Sequence, residues 1–466
     1  MNDVQLQKTL RASQYAEQVL SRHAALLQQD YAVDHFQHAL STEQIKQSVT
    51  DTLTNISDEE QWMSTLRTLR ARLMFRWIWQ DANQLTNVIT LTRELSDFAD
   101  AAICAAKDFA RIPLVAKYGQ PIGYNGKVQD LIVIAMGKLG AQELNLSSDI
   151  DLIFAFDEQG ETDGRKCIDV QQFCILWGQK LIYLLDHITS DGFVFRVDMR
   201  LRPWGDGSPL AISHIALEKY LSQHGREWER YAWIKARIVN PTPEGDELLE
   251  MTRPFVFRRY VDYSAFAAMR EMKAMIQREV QRRNIEDDIK LGAGGIREVE
   301  FIVQVYQLIY GGAKLELQDR QCLVSLKHLV TAELLDEQAV EDLEDAYLFL
   351  RRVEHAIQAL NDQQTQSLPT EDDPRQRIAD TLGFADWAAF MDVLDQKRAK
   401  VIYQFEHLIK ENGPETQLSS FTQLEQQLNA VLDVSARNLV HEFWNSNTLK
   451  KLPAKALQRL KTFWPY

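Results

Sequence analysis

The stretch that most constrains this chain runs Leu131-Ile-Val-Ile-Ala-Met-Gly137-Lys138-Leu-Gly140-Ala-Gln-Glu143-Leu-Asn145-Leu-Ser147-Ser148-Asp149-Ile-Asp151-Leu-Ile-Phe154. An apolar run, Leu131 to Met136, breaks at Gly137-Lys138, and a second apolar run opens with two carboxylates two residues apart. In a strand alternate side chains share a face, so Asp149 and Asp151 project together while Ile150 and Leu152 point the other way. Two acids held side by side repel each other unless a cation sits between them, and their oxygens suit Mg²⁺ or Mn²⁺. A glycine ahead of them lets the backbone approach a phosphate closely, with N–H groups free to bind it. Strand, Gly-Lys turn and Asp-x-Asp on the next strand describe a metal-dependent nucleotidyl-transfer site.

A third acid supports this reading. In Gly192-Phe-Val-Phe-Arg196-Val-Asp198-Met-Arg200-Leu-Arg202-Pro203, alternation places Val194, Arg196, Asp198 and Arg200 on one face and Phe193, Phe195, Val197 and Met199 on the other. Three carboxylates on adjacent strands are expensive as structure alone, because buried acids need partners. They are useful where two metals bind a reacting phosphate. Arg196, Arg200 and Arg202 have two readings: they neutralise Asp198, or they bind a phosphoanion beside this strand, for which arginine's planar fork is suited.

The rest of the chain reads as mostly helical. Its 466 residues allow roughly three domains of about 150 residues. A formal net charge of −14 argues against a non-specific nucleic-acid surface. No apolar run reaches the ~20 residues needed to span a bilayer, and the first residues are not a signal peptide, so neither nucleic acid nor membrane is expected as a partner. Cys104, Cys167, Cys174 and Cys322 form no Cys-x-x-Cys pair and read as reduced core thiols of a cytoplasmic protein. No histidine spacing suggests a metal site.

In order, Val4 to Gln28 has helical spacing, and Ser57-Asp-Glu-Glu60 offers a capping box before a helix carrying Leu66, Leu69, Leu73, Phe75 and Ile78. A third helix spans about Asn87 to Ala110, and Ile112-Pro113 with the loop Gly119–Gly126 marks a boundary. Strands follow near Leu131–Met136 and Asp149–Phe156, then a helix from Val170 to His187. Arg226 to Arg237 reads as a helix with a packed face beside a solvated, charged one. Phe266, Met269, Met272, Ile276 and Val280 repeat at helical spacing. The loop Lys290-Leu-Gly-Ala-Gly-Gly295 lacks the ending of a P-loop; it is either an ordinary tight turn or a glycine turn whose amides meet an anion at a helix start. Amphipathic helices at about Asp342–Leu360 and Trp387–Ile409 read as an antiparallel bundle. Glu411 to Thr416 reads as a linker, and the abrupt ending at Phe463-Trp-Pro-Tyr466 suggests a chain cut from something longer. The expected organisation is a helical segment 1–118, a nucleotidyltransferase domain 119–240, a helical bundle 241–410, and 411–466 as linker and start of a further segment.

Four motifs in order resemble the signatures of the bifunctional glutamine synthetase adenylyltransferase/adenylyl-removing enzymes: Gly137 to Phe154; Phe195-Arg-Val-Asp-Met-Arg-Leu-Arg-Pro203; Gly225-Arg-Glu-Trp-Glu-Arg-Tyr231 with Lys235-Ala-Arg237; and Gly294-Gly-Ile-Arg-Glu-Val-Glu-Phe301. The resemblance implies an α+β chain with a central DNA polymerase beta-like nucleotidyltransferase domain and a C-terminal helical bundle. The wording Glu143-Leu-Asn-Leu-Ser-Ser-Asp-Ile-Asp151 resembles the amino-terminal, adenylyl-removing half. It implies phosphorolysis of a tyrosine-AMP ester on glutamine synthetase, giving ADP. Asp149, Asp151 and Asp198 would be the metal ligands and catalytic acids, with Mg²⁺ or Mn²⁺ as cofactor. Gly137, Lys138 and Ser148 would bind phosphate or nucleotide, and Arg200 and Arg202 the attacking phosphate. The PII signal protein would be a regulatory partner. Two departures from the pattern are Ala141, where a second glycine is usual, and Ala293, where proline is usual. The alternatives are adenylyl addition from ATP, or a catalytically silent module of the same fold that binds a nitrogen-signalling protein.

Overall fold

A computed structural model describes residues 2–33, 36–258 and 287–411. The helical repeat at Phe266–Val280, the linker expected at 412–416 and everything beyond lie outside the described residues. The described residues up to Tyr403 form one compact unit.

Five helices lead the chain: α1 (Asp3–Ala12), α2 (Gln14–Ala32), α3 (Thr42–Leu53), α4 (Glu59–Ala82) and α5 (Val88–Tyr118). The single helix expected over Val4–Gln28 is broken at Ser13, whose backbone is extended and whose hydroxyl caps α2 at the Ala16 amide while donating to the Ala359 carbonyl. A side chain that satisfies an orphan helix amide favours a new start there over continuation. The cap of α4 is Asp58, which accepts from the Gln61 amide, one residue after the expected Ser57. Helix α4 is buried nearly all round, including the expected Leu66, Leu69, Leu73, Phe75 and Ile78. Buried Arg67 on α4 donates to the carbonyls of Leu184, His187 and Gly192, tying the leader to the segment that follows α5.

Helix α5 runs straight through Pro113, so Ile112-Pro113 is not a boundary; the helix ends at Gly119, which takes φ +82°. Proline removes one i→i−4 amide bond, here the one to the Phe109 carbonyl, without ending the helix.

The sheet comprises β2 (Ile132–Ala135), β3 (Ile150–Phe156), β5 (Val197–Asp198), β6 (Ala211–Ser213) and β7 (Arg237–Ile238), while β1 (Pro121–Gly123) and β4 (Gly160–Thr162) form a separate ribbon. The order is β5-β3-β2-β7, with β6 also on β3. Strand β3 is therefore central, paired antiparallel to β2 and parallel to β5 and β6, which suits its unbroken apolar run from Leu152 to Phe156. Helix α7 (Val170–Asp186), close to the expected limits, packs on the sheet, and α5 packs on α7 through a bond from Trp177 Nε1 to the Lys107 carbonyl. Helix α6 is a single turn, Gly137–Gly140.

After β6 come α8 (His214–His224) and α9 (Glu227–Trp233). The helix expected to Arg237 stops at Trp233, and Arg237 is in β7. Nor is its charged side solvated: Glu229, Arg230 and Lys235 are buried. Glu229 accepts from the Tyr220 hydroxyl and the Arg226 amide, so pairing replaces the water these charges lose. Then follow α10 (Pro243–Val256), α11 (Ile296–Tyr310), α12 (Cys322–Thr331), α13 (Glu337–Ala359), α14 (Asp372–Leu382) and α15 (Trp387–Glu411). The leader and the sheet share one apolar core, which α13 joins at Ala359. All four cysteines are unbridged; Cys167 is exposed, not a core thiol. No helix among the described residues is long and apolar enough to cross a membrane.

Candidate active site

Strands β3 and β5 run parallel with Asp151 directly opposite Asp198, and Asp149 stands one residue before β3 begins. The three expected acids thus meet at one end of the central strand. Gly137 has φ +54°, and a Cβ there would lie 2.6 Å from Asp151 Oδ2. Only glycine lets the backbone pass this close to the carboxylate. The departure at Ala141 is harmless, because its backbone is ordinary right-handed helix and the positive φ falls at Gly137 and Gln142.

The three carboxylates are held differently. Asp149 Oδ1 accepts from Arg196 Nε at 2.7 Å, and its Oδ2 accepts from Gln364 Nε2 at 2.8 Å. Asp198 accepts from the Arg200 amide at 2.8 Å and from the Arg200 guanidinium. Burial pushes Asp198 up, but these Arg200 bonds outweigh it and hold the carboxyl below its ordinary value. The Asp151 carboxylate has no hydrogen bond or ion pair among the described residues. Burial, with the charges of Asp198 and Asp149, pushes it up to about 6. An acid kept this uncomfortable is a signature of function more than of stability.

The phosphate-binding candidates are placed unequally. The amides of Gly137 and Lys138 open α6, where no intrahelical acceptor exists. The Lys138 ammonium, however, is turned into the bundle and donates at 2.8 Å to both oxygens of buried Glu354 on α13. It is not presented to the acids. Ser148 is half-buried and makes no hydrogen bond among the described residues, while its neighbour Ser147 accepts from Arg196 Nη2. Arg200 is 76% exposed and lies over Asp198. Arg202 is taken up by its own loop, donating to the Met199 carbonyl and Asp206; it makes no hydrogen bond to the acids, although its charge helps to lower Asp198. As they stand, no three carboxylate, histidine or cysteine groups among the described residues converge enough to hold a metal ion. The donor chemistry still fits one: Asp151 is an unpartnered hard-oxygen ligand raised by two neighbouring carboxylates, and the arginine over Asp198 is solvent-exposed and can swing away.

The supporting structure was not expected from the sequence. Helix α13 carries a buried polar stripe, Tyr347, Arg351, Glu354 and Gln358, at i, i+4, i+7 and i+11. Arg351 donates to the Glu143 carbonyl and Asn145 Oδ1, and Gln358 Oε1 accepts from the Ser147 amide. Burial pushes Glu354 up, but Lys138 and Arg351 prevail and hold it at about 2; burial pulls Lys138 down to about 7. On the other side, buried Lys235 donates to Glu300 Oε1 at 2.6 Å, and Arg237 forms a two-pronged pair with Asp100 and reaches the carbonyls of Leu139 and Gly140. The motif residues Lys235, Arg237 and Glu300 therefore brace the 137–147 loop. Read alone, the charges of this amphipathic helix look solvated, so the sequence carries no signal that singles out the buried stripe.

The glycine loop is a tight turn. Gly294 at φ +69° packs against the Arg398 backbone, and its amide donates to Glu298. Ala293 is exposed, so nothing there requires proline.

Comparison with known proteins agrees with these features. Residues 4–250 match the family model described as glutamate-ammonia ligase adenylyltransferase, and residues 270–409 match that described as GlnD PII-uridylyltransferase. The chain is 75% identical over 466 residues to the bifunctional glutamine synthetase adenylyltransferase/adenylyl-removing enzyme of Acinetobacter baylyi, covering all of this chain and 50% of that protein. It is 46% identical over 401 residues to the enzyme of the same name from Pseudomonas syringae pv. tomato, covering 85% of this chain and 41% of that one. The chain spans about half the length of these relatives. With the acids, the glycine turn and its bracing motifs all inside the matched segments, the chain belongs to the glutamate-ammonia ligase adenylyltransferase family.

Proposed function

We propose that this chain removes AMP from adenylylated glutamine synthetase by phosphorolysis. The observation that carries the reading is the opposed pair Asp151 and Asp198, one acid unpartnered and the other covered only by an exposed arginine. The names of the relatives join adenylyl addition to adenylyl removal, and the wording of residues 143–151 resembles the removing half.

An oxygen of hydrogen phosphate bonds to the α-phosphorus of the tyrosine-AMP ester. The bond from phosphorus to the tyrosine oxygen breaks in line, and the phosphate's proton ends on the released phenol, leaving ADP. Asp149, Asp151 and Asp198 would hold Mg²⁺ or Mn²⁺, which supplies positive charge to the phosphoryl oxygens and the leaving phenolate. Gly137, lacking a Cβ, brings the backbone of the turn up against Asp151, and the open face at Gln364 and Arg200 suits a tyrosine carried on a large protein. Arg200, released from Asp198, offers its guanidinium to the attacking phosphate. Glutamine synthetase is the proposed partner in the cytoplasm, and the PII signal protein a regulator.

Incubation with adenylylated glutamine synthetase and Mg²⁺, with and without phosphate, tests this. Phosphate-dependent release of ADP without ATP is expected. Release of AMP in the absence of phosphate would make water the nucleophile, and ATP-dependent labelling of the unmodified enzyme would assign the chain to adenylyl addition.

A further inference from the structure

We propose that Lys290 is a second anion-binding residue of this site, holding the attacking phosphate from the bundle side while Arg200 approaches from the open side. This rests on the phosphorolysis reading. Lys290 is not among the phosphate-binding residues expected from the sequence.

The backbone at Lys290 is fixed with respect to the acids. Residues 287–289 lie along 366–368: the Ile289 amide donates to the Gln366 carbonyl at 3.0 Å, the Leu368 amide donates to the Asp287 carbonyl at 3.2 Å, and Asp288 forms a bridge with Ser367. Two residues before Gln366, Gln364 is bonded to Asp149. The Asp288 carboxylate accepts from the amides of Lys290 and Leu291 at 2.8 and 2.7 Å, and its carbonyl accepts from Arg398. The close turn at Gly294 then locks the segment to α11, with the Lys290 carbonyl accepting from the Arg297 amide.

The other cations around the acids are paired: Arg196 with Asp149, Arg200 with Asp198, Arg202 with Asp206, Lys138 with Glu354 and Lys235 with Glu300. The half-buried Lys290 ammonium has no hydrogen bond or ion pair among the described residues. The residue's backbone is tied to the 366–368 segment, which leads back to Gln364 on Asp149, and its positive charge acts on Asp151, Glu300 and Glu354 alike. An incoming dianion beside three carboxylates needs a cation that is not already spent. A lysine on a fixed backbone supplies a compact point charge without breaking an existing pair.

The competing explanation is that Lys290 only offsets the charge of Asp151. Steady-state phosphorolysis with varied phosphate at saturating adenylylated glutamine synthetase separates the two, with Lys290→Met and Lys290→Arg compared with the unaltered chain. Expected are a phosphate KM raised at least tenfold in Lys290→Met, an unchanged KM for the protein substrate, and partial recovery in Lys290→Arg. Phosphate should also raise the Tm of the unaltered chain in Mg²⁺ more than that of Lys290→Met, a readout independent of turnover. An unchanged phosphate KM and Tm shift in a folded Lys290→Met protein would overturn the assignment and leave phosphorolysis standing. If the unaltered chain neither uses phosphate nor is stabilised by it, phosphorolysis itself has failed and the role of Lys290 falls with it.

Discussion

Lys138 and Glu354 form a buried ion pair across the join between the glycine turn and α13, with the ammonium 2.8 Å from both carboxylate oxygens. The lysine beside the glycine is thus a strut for the turn, and the backbone around Gly137, not this ammonium, faces the acids. Replacing Lys138 by Met or Glu354 by Gln leaves the other group buried without its counter-charge. A loss of about 3–5 kcal/mol of stability is expected by denaturant unfolding, with much of it recovered in a Lys138→Met/Glu354→Leu double variant. If Lys138→Met instead raised the phosphate KM and left stability intact, the strut reading would be wrong.

Asp151 should show the reverse trade. Asp151→Asn is expected to cut turnover about a thousand-fold, on the order of 4 kcal/mol of transition-state stabilisation. Yet the metal-free protein should become more stable at neutral pH. The shift from 3.8 to about 6 means the folded state disfavours the charge, worth on the order of 1–3 kcal/mol. Between these values the folded form binds more protons than the unfolded one. The unaltered metal-free chain therefore gains stability as pH falls through 6 toward 3.8, and Asp151→Asn should lose that slope. Equal stability of the two proteins at pH 8 without metal would refute this account.

Glu300 and Glu354 act in a lower window and with opposite sign. Burial pushes Glu300 up, but Lys235 and Lys138 prevail and hold it at about 2, as Glu354 is held by Lys138 and Arg351. Their contribution is complete above the ordinary value of 4.5 and is lost as pH falls through about 2. Acid unfolding followed by circular dichroism should be shallower in a Lys235→Met/Glu300→Leu variant, and an unchanged acid profile would refute the contribution of that pair.

Arg200 and Arg202, two residues apart, should separate. Arg200→Ala is expected to raise the phosphate KM about tenfold while leaving the fold intact, because its exposed guanidinium serves only Asp198 and an incoming anion. Arg202→Ala should lower Tm through the 203–209 loop, with little change in phosphate KM. Equal kinetic effects from the two would show that Arg202 reaches the site after all.

By itself the sequence determined the local parts of this protein. The two-residue spacing of Asp149 and Asp151, the apolar runs on either side and the acid at Asp198 are legible because a strand's period of two is a property of neighbouring residues. The tertiary structure decided which groups meet. Asp151 opposes Asp198 only because β5 pairs in parallel with β3 at that register. Lys138 finds a carboxylate 216 residues away and Lys235 one 65 residues away, in helices whose charged positions look solvated when read alone. Helix α5 continues through Pro113, and Ser13 ends α1, according to what the surrounding chain can hydrogen-bond. Pattern fixes which face a side chain is on; its partner, and hence whether a charge is a strut or a ligand, depends on packing that brings distant segments together and removes their water.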